Sequence, residues 1–199
     1  MKSQTKITMD HELTKDSINL QEIHSKLGKN IIMFQRLEGL LKFLISRSHI
    51  ESGHNTYKLD IEKAENKVSK QTMGNLCNQF IDSIFEEKLH SEKSSFTFSF
   101  HIDVSEDFIE KREANLKKIN TERNSLIHDI YGNYDLNSIK GRTELVNKLL
   151  DLEKLMDDEF KIMETIVEMI ISSSKEFLEH IRNEARSDQE HKFQEKKDK

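Results

Sequence analysis

The chain has 199 residues, 34% of them charged and 35% hydrophobic, with a net charge of -5. That suits one domain with a usable core and excludes a wholly disordered chain. It also excludes a uniformly basic nucleic-acid coat, leaving only local basic patches open.

Proline is absent and cysteine occurs once, as Cys77. The first fact favours long uninterrupted helices, because proline breaks the helical hydrogen-bond ladder. The second excludes an internal disulfide and a cysteine zinc site, and points to a cytoplasmic protein. Residues 1–16 are polar and lack the apolar centre of a signal peptide, so they read as a flexible lead-in. No apolar run approaches the ~18 residues of a membrane span, so no membrane partner is expected.

From residue 17 the pattern is helical. Leu20, Ile23, Leu27, Ile31, Phe34, Leu37, Leu41 and Leu44 recur at three-four spacing and predict a first helix. Gly28 and Gly39 interrupt it and predict a kink or a close helix approach. HIESGHNTY reads as a loop. Asp60 is the expected cap of a second helix, with the stripe Ile61, Ala64, Val68, Met73, Leu76, Phe80 and Ile84. A β insertion follows at about 94–104, where Phe96, Phe98, Phe100, Ile102 and Val104 alternate strictly. A lone strand needs a partner; LHSEKS, NTYKL or the same strand of a second subunit could supply it. Ser105, followed by Glu106 and Asp107, predicts the cap and acidic first turn of a third helix reaching about Tyr131. GNYDLNS is a turn. The last helix is predicted from about Ser138 to near Arg186, on a stripe that includes Leu145, Leu149, Leu152, Met156, Phe160, Met163 and Phe177. Residues 187–199 read as a charged, disordered tail. The expected fold is all-α: an antiparallel bundle of four principal helices with a long C-terminal helix and a short β insertion, over 17–186.

On the third helix Ile109, Leu116, Ile119, Leu126, Ile127 and Ile130 share one side, and Arg123 lies near its centre. An unpaired buried guanidinium costs several kcal/mol, so the arginine needs a reason. Asn124, His128 and Tyr131 line a neighbouring stripe, and Asp129 points elsewhere. One explanation is a structural ion pair between Arg123 and a glutamate of another helix, in a non-catalytic module that binds a protein or ligand.

The hexapeptide RNSLIH, from Arg123 through Asn124 to His128, stands in a late helix before a turn and a final long helix. It resembles the R-x4-6-H motif of the HEPN superfamily (higher eukaryotes and prokaryotes nucleotide-binding), whose domains are helical bundles. The resemblance covers the motif closely and the bundle loosely. It implies a metal-independent endoribonuclease without cofactor, of a toxin–antitoxin or phage-defence type, acting on RNA and subject to a protein inhibitor or antitoxin. Arg123, His128 and Asn124 would be the catalytic group. Histidine supplies a base near neutral pH, and a guanidinium fork suits phosphate oxygens. On an ideal helix Arg123 and His128 point about 140° apart, and the family's answer is a homodimer in which two motifs meet across a groove.

Tyr131 is a candidate for packing or for stacking on substrate. In one HEPN toxin family a tyrosine two positions after the motif histidine is AMPylated; Tyr131 stands three positions after His128 and does not match. Lys111, Arg112, Lys117 and Lys118 could follow an RNA backbone, although Glu106, Glu110 and Glu113 among them also suit a solvated face. The histidines, among them His49, His54, His90 and His101, show no metal-ligand spacing. Cys77 and the methionines Met156, Met163 and Met169 read as core or interface.

Overall fold

The computed structural model describes residues 19–52, 56–86 and 96–197, with positions 96, 181 and 184–197 described by their backbone alone. The lead-in 1–16, the LHSEKS segment, His54 and His90 lie outside the described residues. Six helices and one two-stranded ribbon are present among them: α1 (Leu20–Ser48), β1 (His49–Ser52), α2 (Tyr57–Ser69), α3 (Met73–Ile84), β2 (Phe96–Ser99), α4 (Glu106–His128), α5 (Ile130–Asn133) and α6 (Ile139–Lys197). No helix of the described residues is long and apolar enough to cross a membrane.

The apolar stripe of α1 is buried at Ile23, Phe34, Leu37, Leu41 and Leu44. The Asn19 side chain accepts the Glu22 amide at 2.8 Å and caps its first turn. Gly28 and Gly39 produce neither a break nor a close approach: α1 runs through both, and a Cβ at either would meet nothing. The predicted second helix is two. Val68 to Met73 is a five-residue step in an otherwise three-four stripe, so one continuous helix would carry Met73 off the core face. The chain instead turns at Lys70–Thr72, and the Thr72 hydroxyl caps α3 by accepting the Asn75 amide. Asp60 is not a cap but lies inside the first turn of α2, which begins at Tyr57.

That additional reversal fixes the helix directions. Lys29 pairs with Glu153, and Arg36 with Glu164, so α1 and α6 run the same way. Arg112 pairs with Glu159, and Glu122 with Lys148, so α4 runs opposite to α6. Cys77 reaches the Leu116 carbonyl at 3.9 Å, and Gly74 lies against Asn120, which sets α3 opposite to α4. Helices α3, α4 and α6 therefore alternate in direction as an antiparallel bundle does, while α1 and α6 are parallel neighbours.

The strand at Phe96–Ser99 pairs antiparallel with His49–Ser52, a segment that reads as loop in the sequence. Ile50 faces Phe98, both are buried, and Phe98 packs on Phe177 of α6 at 5.4 Å. Because β1 has only four residues, the paired strand ends at Ser99, followed by one last bond from the Phe100 amide to the Ser48 carbonyl at 2.7 Å, short of the predicted Val104. The alternation continues in burial: Phe100 is buried, and Ile102 and Val104 are half-buried. Ser105 precedes α4 without a side-chain cap bond, and α4 ends at His128 rather than Tyr131. Past Arg186, α6 continues to Lys197 through the segment whose charge predicts a disordered tail. That segment has no proline or glycine and is rich in Glu, Gln and Lys, all good helix formers.

Candidate functional site

The motif lies at the end of the bundle where α4 stops and α6 begins. Arg123 is half-buried, beyond the Leu116–Ile119 part of the stripe, which is fully buried. Its Nη1 donates to the Asn124 side-chain oxygen at 3.2 Å, and it pairs with no carboxylate among the described residues. Asn124 and His128 are exposed on the adjacent face. Tyr131 is 82% exposed, on the short α5, so it does not pack into the core formed by the described residues. Arg123 is thus hydrogen-bonded to Asn124, while His128, one turn beyond Asn124 on the same stripe, bonds to neither among the described residues.

Lys117 is exposed and lies on the same stripe as Asn124 and His128, so a row runs about 16 Å along α4 at 1.5 Å per residue. Lys117 also lines a cleft of about 350 Å³ with Gly74, Asn78 and Asn120. Lys118 is exposed on another flank, one turn before Glu122, whose carboxylate accepts from Lys148.

Arg112 does not join this row. It is 5% exposed, and its Nη1 meets Glu159 Oε1 at 2.9 Å; that carboxylate also accepts from Asn115 at 2.6 Å and is 0% exposed. Burial pushes the Glu159 carboxyl up from its ordinary value, while Asn115 and Arg112 pull it back. Arg112 Nε and Glu159 Oε2 are buried without hydrogen-bond partners among the described residues. The sequence carried the signal for this pair. Arg112 falls four residues before Leu116, and Glu159 lies between Met156 and Met163 at three-four spacing, so both sit on core stripes.

A further cation stands at the motif end, without a motif in the sequence to mark it. Arg142, in the first turns of α6, is half-buried, with a buried Nε that lacks a partner among the described residues. Ser138 caps this helix by accepting the Gly141 amide at 3.0 Å. Cys77 is buried and its thiol is pushed up to about 12 by desolvation, so it behaves as a small apolar side chain. Among the described residues no cluster of three or more His, Cys, Asp or Glu could hold a metal ion.

No protein-family model, curated protein or solved structure matches the chain.

Proposed function

We propose that the protein is a homodimeric, metal-independent endoribonuclease of HEPN type, a toxin or phage-defence effector held in check by a protein partner. The observation that carries this reading is the state of Arg123. A guanidinium half-buried on a core face, with an amide neighbour and no carboxylate among the described residues, is a cation available to an external anion. The competing reading of a non-catalytic module relied on Arg123 as a structural ion pair. Arg112 and Glu159 fill that role instead.

In the proposed reaction His128 takes the proton of a ribose 2′-hydroxyl. The 2′-oxygen attacks the adjacent phosphorus, a new P–O bond forms, and the bond to the 5′-oxygen breaks. The partner subunit's copy of the motif histidine protonates the departing 5′-oxygen. Arg123 and its symmetry copy would neutralise the charge that builds on the non-bridging oxygens. Lys117 and Tyr131, both exposed, would hold the flanking backbone and a base, and Arg142 would add a further phosphate contact. Product ends test the chemistry. Incubating the protein with RNA in EDTA should yield 2′,3′-cyclic phosphate and 5′-hydroxyl termini; 5′-phosphate ends, or cleavage only with added divalent metal, would exclude it.

A further inference from the structure

A second concave site lies away from the motif. A cavity of about 420 Å³ opens between the end of α1, the inner face of α2 and the α3 face bearing Gln79 and Ser83. Its level on α1, around Ile45, is about 22 Å from Asn30 at 1.5 Å per residue. Asn30 marks the level of the bundle at which Lys148 meets Glu122, close to Arg123. Apolar floor is supplied by Ile45, Ala64 and Val68.

The polar groups decide what would fit. Lys67 comes from α2 and Asp82 from α3, on separate walls; the one other ionisable lining side chain, His49 of β1, already meets Ser99 Oγ at 3.3 Å and Glu51 Oε1 at 3.4 Å. Lys67 and Asp82 are exposed, and neither is in an ion pair, with each other or with any described residue. The side-chain oxygen of Gln71, which also lines the cavity, is buried without a hydrogen-bond partner among the described residues. An occupant that engages all three groups brings an N–H donor for Gln71, a positive group for Asp82 and a negative group for Lys67. A phosphate ligand would gain one lysine and face a carboxylate, with no net positive field to hold it. An uncharged sugar would use neither charge.

We infer that this cavity binds a free α-amino acid or a comparably small zwitterion, its carboxylate on Lys67, its ammonium shared by Asp82 and Gln71, and its side chain over Val68 and Ala64. The site is separate from the proposed nuclease centre and stands or falls without it. Thermal midpoints and isothermal titration calorimetry, with the common α-amino acids at millimolar concentration as probes and inorganic phosphate and AMP as controls, test it. At least one amino acid should bind, with Kd weakened about tenfold or more in Lys67→Met and in Asp82→Asn, since hydrogen bonds to charged groups are lost. Binding should persist in Lys67→Arg, which keeps the charge and guards against a folding artefact, and in Arg123→Ala. The inference is overturned if no amino acid binds the parent protein, if either charge-removing variant binds as well as the parent, or if phosphate or AMP shifts the midpoint as much as any amino acid.

Discussion

Arg112 and Arg123 share one face of α4 about three turns apart, and their surroundings give them different work. Arg112 stands opposite Glu159 in the middle of the bundle, where both charges are removed from water. Taking away one partner there strands the other, at a cost of ~3–5 kcal/mol. Arg112→Ala should therefore lower stability by that amount in urea unfolding, whereas Arg123→Ala should cost under ~1 kcal/mol. The double change Arg112→Met with Glu159→Leu should come close to neutral, because apolar packing replaces a desolvated pair. Equal losses for the two single arginine variants would contradict this division of roles. A helical wheel ranks the two arginines alike, since it reports the face but not the height along the bundle. What separates them is the position of Glu159, which becomes visible only once α4 and α6 are paired.

Gly28, Gly39 and Gly141 make the corresponding contrast between elements. The first two lie in the open interior of α1, so Gly28→Ala and Gly39→Ala should each stabilise by up to ~1 kcal/mol. A Cβ at Gly141 would run into the Asp135 carbonyl oxygen, in the turn that leads into α6. Gly141→Ala should therefore destabilise by ~1–3 kcal/mol, and a thermal midpoint unchanged in that variant would count against the tight turn. At the other end of the bundle Asp60 ties α2 to the ribbon. The Lys63 ammonium first, then the Thr56 and Ser52 hydroxyls, hold its carboxyl down at about 2; the Ser52 bond is 2.9 Å. An unfolded aspartate titrates near ~3.9. Because the folded value is depressed, the contribution is present above about pH 4 and is lost as pH falls toward 2. Asp60→Asn should flatten this stretch of the acid limb in a series of thermal midpoints; parallel curves for parent and variant would remove Asp60 from the account. These elements differed in legibility for physical reasons. The Phe96–Val104 alternation announced a strand, but its partner has only four residues, two of them charged or ionisable, and reads as loop. The five-residue step at Val68–Met73 did signal the break between α2 and α3; its consequence, parallel α1 and α6, is a property of the whole topology.

For the whole molecule, a single chain holds Arg123 and His128 on divergent sides of α4, so the proposed chemistry requires a second copy. Sedimentation at micromolar concentration should show a dimer, with an interface burying at least ~1,200 Å² in total. Ile127, Tyr131 and Ile139 are exposed apolar side chains at the motif end and are available to such an interface. A monomer across the accessible concentration range would dismantle the composite site. The nuclease claim itself is tested most directly by RNA cleavage in EDTA, comparing the parent with His128→Ala at matched folded concentration. The parent should cleave and His128→Ala should not, with a thermal midpoint within a few degrees of the parent's because His128 is exposed. Cleavage that survives in His128→Ala, or a well-folded dimeric parent that leaves every RNA intact, would contradict it.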